Sequence, residues 1–414
     1  MITTASNHSQ STTASLLGPS QIIERKGSVP IHLYLEELEQ GAMEQAKNCA
    51  RLPHAFHHIS IMPDAHQGFA MPVGGVMALK NAVMPNAVGV DIGCGMLAAR
   101  TSLRVESVGR RFEQLAEEIL HTVPVGFQHH KKAQDDPVLD PIHVKGKAKK
   151  QLKESMPVVA EQRDSIPFQL GTLGGGNHFI ELQRDEEGWL WVMIHSGSRN
   201  IGLKIANYYH KAAKNYCEDK LGGLSNDYAY LTLDLPEAHA YLEQMNWAIE
   251  FAAQNRSHIM RQVIGLMKRL LTNDVQTSLE VHTRHNYASW ETHFGERVLV
   301  HRKGAVRARA NELVTIPGSM GTCSYIGRGK GYADSFESCS HGAGRKMGRM
   351  QAKRQISSDD FAKQVRDVIV KSPNLSGIID EAPAAYKDIE DVMSQQRHMV
   401  EVAYRLEPIA VVKG

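Results

Sequence analysis

The chain has 414 residues, of which 42% are hydrophobic and 22% are charged; this composition is typical of a folded globular protein and excludes disorder and fibrous repeats. Its 47 Lys and Arg residues and 45 Asp and Glu residues leave a net charge of +2, so any surface that binds a polyanion must be a local concentration of positive charge. The 21 histidines are the unusual count, and they direct attention to metal binding and proton transfer.

The predicted elements begin after a Ser/Thr-rich segment, residues 1–20, which we expect to be disordered because it can bury little apolar surface. We expect residues 21–414 to form a single domain. In the first part of the chain, hydrophobic periodicity and turn residues predict a helix at 31–52, strands at 56–63 and 73–79 around a loop at 63–72, a strand at 87–103 broken by the glycine-rich turn 91–95, a helix at 108–124 and a polar surface loop at 126–153. The lysines of that loop leave two interpretations open, contact with RNA and simple solubility.

The next segment, residues 174–200, is typical of a hairpin with its turn at Asp185–Gly188. Such a hairpin would bring His178 and His195 together, although they are 17 residues apart. The remaining predicted elements are helices at 199–219 and 235–271, strands at 279–283 and 297–316, helices at 343–355, 358–369 and 384–395, and a terminal strand at 400–414. Helices and strands do not follow a regular β-α-β order, which predicts an α+β fold with antiparallel or mixed sheets and surrounding helices.

The cysteines and the N-terminus indicate the compartment. The five cysteines are odd in number, widely spaced and without a C-x-x-C motif, so a disulfide framework is not expected. The sequence has no recognisable secretory signal, and no apolar run approaches the ~18 residues of a membrane span. The sequence therefore predicts a reduced, soluble, cytoplasmic protein with no membrane partner.

A cluster of metal-binding side chains is the strongest chemical signal. Asp91 and Cys94 are three residues apart among glycines, so a sharp turn can direct both side chains to one point. A lone Cys or His in such a place is more often structural, but four histidines share the context of a strand edge or Gly-rich turn: His178, His195, His285 and His341. One carboxylate, one thiolate and three imidazoles suit Zn²⁺, Mn²⁺ or Co²⁺ and exceed the four ligands of one tetrahedral site, which favours two ions sharing the thiolate.

Two further motifs are candidates for phosphate binding. HSGSRN contains Arg199, and HGAGRKMGR contains Arg345 and Lys346, so backbone N–H groups and a guanidinium could face one anion. A glycine-rich turn capped by a surface Arg is the alternative interpretation. The P-loop motif is absent, so a nucleotide would have to be bound in another way.

Taken together, the motifs resemble those of the RtcB family of RNA-splicing ligases, in the same order and from about residue 55 to the end. The matching segments are MPDAHQG (62–68), VGVDIGCGM (88–96), LGTLGGGNHFIEL (170–182), IHSGSRNIG (194–202), RHNYAS (284–289), RKGAVRARA (302–310), IPGSMGTCSYI (316–326), SCSHGAGRKM (338–347) and VVKG (411–414). The resemblance implies an RtcB-like fold in which sheets and helices surround a central metal cleft.

The resemblance also implies an activity and its residues. Members of the family seal an RNA 3′-phosphate or 2′,3′-cyclic phosphate end to a 5′-hydroxyl end with GTP and two Mn²⁺ ions, through an RNA(3′)pp(5′)G intermediate. The nucleophile maps onto His341, oriented by Asp64, and Arg199 and Arg345 complete the expected catalytic set. The metal ligands map onto Asp91, Cys94, His178, His195 and His285, with Cys94 shared by both ions.

The GMP pocket implied by the resemblance includes Glu181, placed to accept the N1–H and N2–H₂ groups of guanine, which adenine lacks. A carboxylate accepting the other N–H of the His341 imidazole would keep the nucleophilic nitrogen unprotonated and oriented. The full implied pocket is Asn177, His178, Phe179, Ile180, Glu181, His285, Asn286, Pro317, Gly318, Ser319, Met320, Ser324, His341, Gly342, Ala343, Gly344, Tyr386 and Lys413.

One departure and two alternatives accompany this interpretation. The family usually has a second His where this chain has Arg284, which cannot bind a metal and could instead hold an RNA phosphate. A two-metal phosphoesterase that opens cyclic phosphates without ligation would need neither His341 nor a guanine pocket. A metal-containing RNA-binding protein without catalysis would need neither His341 nor Asp64. The physiological RNA, an activating protein and the oligomeric state, a monomer included, stay open.

Overall fold

The structure, a computed structural model, describes residues 18–414, so the predicted disorder of the Ser/Thr-rich start falls almost entirely outside the described residues. The strands of the described residues are β1 (Gln21–Ile23), β2 (Ile31–Leu33), β3 (Ala55–Phe69), β4 (Met71–Leu79), β5 (Ala82–Val83), β6 (Gly95–Arg104), β7 (Phe179–Arg184), β8 (Trp189–Ser196), β9 (Leu231–Thr232), β10 (Thr277–Arg284), β11 (Asn286–His293), β12 (Glu296–Lys303), β13 (Ala305–Arg307), β14 (Leu313–Ile316), β15 (Ser324–Gly329), β16 (Ser338–Ser340), β17 (Ile369–Lys371) and β18 (Val400–Lys413).

The α-helices of the same residues are α1 (Gln40–Ala50), α2 (Pro85–Val88), α3 (Val105–Val108), α4 (Phe112–Thr122), α5 (Lys147–Ser155), α6 (Pro157–Gln162), α7 (Asn200–Tyr216), α8 (Pro236–Leu270), α9 (Arg349–Gln355), α10 (Ser358–Gln364) and α11 (Ile389–Gln395). Among residues 18–414, no helix combines the length and the apolar character that crossing a bilayer requires.

Two large mixed sheets make up most of the fold. One has the strand order β1-β2-β3-β4-β12-β11, and the other has the order β10-β6-β8-β7-β18-β15-β14, with β17 paired to β18. The β2–β3 and β17–β18 pairs are parallel, and the other pairs within both sheets are antiparallel. The predicted α+β class with antiparallel or mixed sheets is confirmed.

One of the connections between the two sheets consists of a single residue. Strand β10 ends at Arg284 in one sheet and β11 begins at Asn286 in the other, so the chain passes between the sheets through His285. The two sheets therefore meet beside a residue that the sequence singled out for chemistry.

The hairpin β7–β8 forms as predicted. Asp185 Oδ1 accepts from the backbone N–H groups of Glu187 and Trp189 at 3.0 and 2.8 Å, which fixes the turn, and Gly188 adopts φ +83°. The register pairs Phe179 with His195. His178 precedes this pair directly, so the hairpin brings the two histidines together.

The 35-residue helix α8 supports the second sheet. It begins with Pro236 in the first turn and ends with Lys268 and Arg269, both favourable positions for the helix dipole. Its buried face packs on β6 and β8. The prediction of a long helix over 235–271 is confirmed to within one residue at each end.

The predicted helix at 31–52 is wrong in its first part. Residues Ile31–Leu33 form β2, whose parallel pairing with β3 outweighs the helical spacing of its apolar residues, and α1 begins only at Gln40.

The loop predicted at 63–72 is instead a continuation of the hairpin β3–β4, with Ala70 at φ +62° in the turn. Register shifts between Ile61 and His66 and between His66 and Phe69 show that irregular pairing accommodates Pro63 within β3.

Two other predictions need correction. The surface loop at 126–153 contains a 3₁₀-helix, Pro137–Ile142, and helix α5, because Leu139, Ile142 and Leu152 pack into the core among lysines that hide the apolar spacing. The helix predicted at 343–355 begins only at Arg349, since the preceding Gly-rich residues form an irregular loop that lines a cleft, with Gly344 at φ +72°. Besides β2, the strands that were not predicted are β1, β5, β9, β11, β15, β16 and β17.

Candidate active site and metal centre

A cleft of about 770 Å³ contains most of the side chains that the sequence singled out. The predicted residues that line it are Asp91, Cys94, Asn177, Phe179, Glu181, His195, His285, Asn286, Pro317, Gly318, Ser319, Met320, His341, Gly342, Ala343, Gly344, Arg345, Tyr386 and Lys413. These residues come from both sheets and from the loops between them, so only the folded chain assembles the site.

The turn before β6 brings Asp91 and Cys94 together. Gly93 has φ +73°, and a Cβ atom there would lie 2.8 Å from the Cα of Ile249 on α8, so glycine is required. The backbone N–H of Gly93 donates to the Asn286 carbonyl at 2.8 Å, which ties the turn to β11. The thiol and the carboxylate consequently face the same point.

Three imidazoles form a row beside the Cys94 sulfur: those of His178 and His195 contact the sulfur, and that of His285 lies next to His195. Cys94 Sγ lies 3.4 Å from His178 Nε2 and 3.2 Å from His195 Nε2. Asp91 Oδ2 lies 3.0 Å from His178 Nε2, and His285 Nε2 lies 3.4 Å from His195 Nε2. The ligand atoms of Cys94, His178 and His195 lie within 4.8 Å of one another, and Asp91 and His285 extend this group at its two ends. The sulfur is therefore available to two donor sets, one with Asp91 and His178 and the other with His195 and His285.

The hydrogen bonds of two imidazoles prepare their Nε2 atoms for metal binding. His178 Nδ1 lies 3.0 Å from the Leu173 carbonyl, and His195 Nδ1 lies 3.2 Å from the Asn177 carbonyl. A carbonyl accepts only from a protonated nitrogen, so Nδ1 carries a proton in both rings and Nε2 is the nitrogen that faces the cluster.

The protonation states agree with a metal site. Burial, with neighbouring imidazoles, holds the pKa values of His195 and His285 well below their usual range, so both rings are neutral. Burial and the Asp91 charge raise the pKa of the Cys94 thiol, so an ion must displace its proton. Burial alone would raise the pKa of Asp91, but the hydrogen bond and charge of His178 lower it overall. The donor set fits one or two borderline divalent cations.

Two polar residues of α8 support this centre and were not predicted. Arg256, 2% exposed, donates to the carbonyls of Gly93 at 3.0 Å and Ser196 at 2.9 Å. Asn255 accepts from the backbone N–H groups of Gly171 and Thr172 and donates to the Thr172 carbonyl. The available signal was their spacing, since Asn255 and Arg256 continue the helical repeat of the apolar residues Ala248, Ala252 and Ile259.

His341 lies at the end of the imidazole row, and Asp64 orients it. His341 Nδ1 donates to Asp64 Oδ2 at 2.6 Å, and its backbone N–H donates to the same oxygen at 3.0 Å. The ring centroids of His341 and His285 are 4.8 Å apart. Burial would raise the pKa of Asp64, but the charge and hydrogen bond of His341 lower it overall, so the carboxylate is ionised. In the neutral ring, the proton that Asp64 accepts is on Nδ1, so Nε2 has the free lone pair.

The loop of His341 is pressed against the strand of Asp64. Gly344 has φ +72°, and a Cβ atom there would lie 2.0 Å from the Asp64 carbonyl oxygen. This close approach requires glycine and fixes the distance between nucleophile and carboxylate.

A second part of the cleft contains Glu181, which is 3% exposed. Its Oε2 accepts from Gln183 Nε2 at 2.5 Å, and the same amide lies 3.0 Å from Ser324 Oγ. Burial raises the pKa of Glu181 to about 8, against the Gln183 hydrogen bond and the Lys413 charge, which both lower it. A buried carboxyl group is thus available to a ligand with N–H donors.

Several predicted residues lie behind the lining. Asp64 contacts His341, and His178 contacts Cys94 and Asp91. Ile180 packs in the core, and Ser324 Oγ accepts from the Gly318 N–H at 3.2 Å. Arg199 donates to Thr172 Oγ1 and the Gly126 carbonyl, both at 2.9 Å, and is not part of the described cleft lining. Arg284 lies over the Tyr287 ring at 4.6 Å and is also absent from that lining.

The cleft also contains charged residues that sequence reasoning did not single out. Lys303, 8% exposed, donates from Nζ to the carbonyls of Phe69 at 2.5 Å and Asn86 at 3.1 Å. Burial lowers its pKa to about 8. It lies within the RKGAVRARA motif, and its position beside Gly304 was the available signal.

Glu381 organises the cations of the cleft wall. It accepts from Arg345 Nη1 at 3.1 Å, Tyr386 Oη at 2.6 Å and Lys413 Nζ at 3.3 Å, and it contacts Arg349. Burial opposes ionisation, but Lys413 and Arg349 hold its pKa well below the usual range. Three cations against this carboxylate leave positive charge available to an anionic ligand.

We expect Glu381→Gln to lower the free energy of unfolding by about 3–5 kcal/mol, because it leaves buried cations uncompensated. Urea unfolding followed by intrinsic fluorescence measures the change. Glu407→Gln is the matched control, since Glu407 pairs with Arg184 at the surface and such pairs contribute at most about 1 kcal/mol. Equal effects of the two substitutions would contradict the assigned role of Glu381.

Fold and site together define a class: an α+β protein whose cleft combines a cluster of candidate metal ligands, namely a thiol, imidazoles and a carboxylate, with a histidine that is hydrogen-bonded to a buried carboxylate. The sequence model of the RtcB family, described as tRNA-splicing ligase RtcB, matches residues 45–414. The RNA-splicing ligase RtcB of Escherichia coli (strain K12) is 39% identical over 394 residues, which cover 91% of this chain and 95% of that protein. The tRNA-splicing ligase RtcB of Nanoarchaeum equitans is 32% identical over 465 residues, covering 94% and 96% respectively. The chain belongs to the RtcB family.

Proposed function

We propose that this protein is an RNA ligase that uses GTP to join a 3′-phosphate or 2′,3′-cyclic phosphate end to a 5′-hydroxyl end. The observation that carries the proposal is the 2.6 Å hydrogen bond from His341 to buried Asp64. The ring of His341 lies beside that of His285, which is one of the candidate metal ligands. The family supports RNA as the substrate class. We place this reaction in RNA splicing or RNA repair.

In the proposed first step, His341 Nε2 forms a bond to the α-phosphorus of GTP, and pyrophosphate leaves with the electron pair of the broken P–O bond. An oxygen of the RNA 3′-phosphate then attacks the same phosphorus and releases His341. The 5′-hydroxyl finally attacks the 3′-phosphate, and GMP leaves as the phosphodiester forms. A cyclic phosphate is first opened by water to the 3′-monophosphate.

Asp64 serves this sequence in two ways. As an ionised carboxylate it accepts the Nδ1–H of His341 and so directs the lone pair of Nε2 to the cleft. It also stabilises the positive charge that develops on the ring as the N–P bond forms. Arg345 and Lys346 line the same part of the cleft and are proposed to face the phosphates, and Arg199 supports the wall behind it.

Asp91, Cys94, His178, His195 and His285 are proposed to hold two Mn²⁺ ions, with Cys94 shared. Their facing lone pairs and the buried thiol, described above, fit this role. When bound, such ions would neutralise charge on phosphate oxygens.

The reaction itself is tested with a pair of RNA strands, one ending in a 3′-phosphate and the other in a 5′-hydroxyl. With GTP and Mn²⁺ present, we expect a joined product and release of GMP. A cyclic-phosphate-opening phosphoesterase would give the 3′-monophosphate and no joined product. A product formed equally well without GTP would contradict the proposal.

Glu181 gives the proposed guanine recognition a pH dependence. Both carboxylate oxygens are free to accept guanine N–H groups only in the ionised form, and the pKa of the carboxyl is raised to about 8. We therefore expect GTP affinity to increase from pH 6 to pH 8, by up to about tenfold per pH unit, and then to level off. The dissociation constant of GTP, measured by calorimetry across this range, checks the expectation.

Glu181→Gln is the matched variant, because an amide keeps the shape and has no titrating group. It should lose the pH dependence and most of the discrimination against ATP. Unchanged selectivity in this variant would show that another group recognises guanine.

A further inference from the structure

The cleft has a second end, around Lys303, where most of the lining residues are not among those implied for the nucleotide. Phe179, near Glu181, packs its ring 5.5 Å from that of His195 at one side of the imidazole row. At the other side, Asn286 follows His285 and pairs with Lys303 in the β11–β12 register. Gln67, Gly68, Gly89 and Val90 line the cleft on this Lys303 side.

Two apolar side chains stand exposed at the rim of this second end. Phe69 is 53% exposed and directly follows Gly68, and Val90 is 49% exposed and lines the cleft itself. Lys303 lies between their segments, since its Nζ donates to the Phe69 and Asn86 carbonyls, and its Cε lies 3.5 Å from where a Cβ of Gly89 would be. The buried ammonium group therefore contacts the backbone of Phe69, and the lysine stem lies next to Gly89, so the exposed side chains of Phe69 and Val90 belong to the segments that adjoin Lys303.

The Phe69 ring contacts the ring of a neighbouring residue on α7. It meets the His210 ring of α7 edge to face at 6.5 Å, and His210 in turn lies 3.3 Å from the Asn86 amide. Lys211 and Lys214 follow His210 on α7, and Lys211 is exposed. Two carboxylates nearby are committed, because Glu39 accepts from the Gln67 N–H and Asp91 contacts His178, and a third, Asp227, lies near His210 together with Lys214.

An exposed aromatic ring beside cations is the combination with which proteins hold unpaired nucleotides, since every base has a face that stacks and every linkage has a negative charge. We propose that Phe69 is the stacking platform for the base of an RNA end as that end enters the cleft beside Lys303. This inference rests on the proposed function and assigns an RNA-contacting surface to the rim formed by Phe69 and Val90.

The test compares Phe69→Ala with wild-type protein in two reactions. Loss of one base stack should raise the KM for RNA in ligation by roughly 5- to 150-fold. Covalent labelling of the protein by GTP requires no RNA and reports whether the nucleotide site is folded. Phe69→Trp should restore the wild-type KM, because a larger ring stacks at least as well. Trp290→Ala is the control, since Trp290 is a similarly exposed aromatic (42%) that does not line the cleft, and it should leave both reactions unchanged.

RNA ends with an abasic terminal nucleotide identify the stacked base. At one of the two ends, the abasic substitution should raise the KM of wild-type protein but add nothing to Phe69→Ala. An unchanged RNA KM in Phe69→Ala, or abasic penalties at both ends that persist in it, overturns the inference. If wild-type protein neither acquires the GTP label nor joins RNA, the proposed function fails instead, so the two failures are distinguishable.

Discussion

His341→Ala is expected to abolish covalent labelling of the protein by α-labelled GTP and with it the ligation of RNA. The reason is chemical, since His341 is the imidazole of the cleft with a carboxylate on Nδ1 and so the one with an oriented free Nε2. Labelling is measured by gel after incubation with GTP and Mn²⁺. Label that persists in this variant would show that another residue is the nucleophile.

Two further variants sharpen this test. Asp64→Asn keeps the size of the side chain but removes the charge that orients the ring, and an analogous change in Ser-His-Asp enzymes costs about 10⁴-fold in rate, so we expect a loss of labelling rate of about 10³–10⁴-fold. His282→Ala removes a histidine that is exposed on β10 and outside the cleft lining, and it should label normally. Equal rates for Asp64→Asn and wild-type protein would contradict the orienting role of the carboxylate.

Cys94→Ser is expected to weaken Mn²⁺ binding by at least about 100-fold and to reduce the stoichiometry, because a neutral hydroxyl replaces the thiolate common to both donor sets. Labelling by GTP should fall in parallel and recover in part at high Mn²⁺. Calorimetric titration with Mn²⁺ measures both the affinity and the number of ions.

The matched control is Cys323→Ser, a half-buried thiol outside the cleft lining, which should bind the same number of ions as wild-type protein. Burial and Asp91 raise the pKa of the Cys94 thiol, so each ion that binds the sulfur displaces a proton, and affinity should increase with pH. Normal binding of two ions by Cys94→Ser would refute the shared ligand.

The sequence predicted the bounds of helices more accurately than those of strands. Helix α8 was predicted to within a residue because its periodic apolar face needs no distant partner to be recognised. Strand β2, at Ile31–Leu33, was predicted as helix because its strand character depends on parallel pairing with β3, almost thirty residues away. The hairpin β3–β4 was interrupted in the prediction at Pro63, which the irregular pairing seen in the structure accommodates.

The candidate site shows the same division. The ligand types and the resemblance of their motifs identified Asp91, Cys94, His178 and His195, and the hairpin turn explained how two of them meet. The contribution of Arg256, by contrast, depends on the position of α8 behind the turn at Gly93. Glu381 and Lys303 were likewise recognised as site residues only from the side chains and backbone carbonyls that they contact in the folded chain.

The sequence by itself determined the kind of chemistry, because residue types such as a thiol, imidazoles and glycines in fixed local patterns carry their own chemical properties wherever they lie. Only the tertiary structure decided the protonation of Glu181, the support of the turn at Gly93 by Arg256 and the exposure of Phe69 at the rim. Each of these depends on burial and on distances between residues far apart in the chain, and those are set when the two sheets meet at His285.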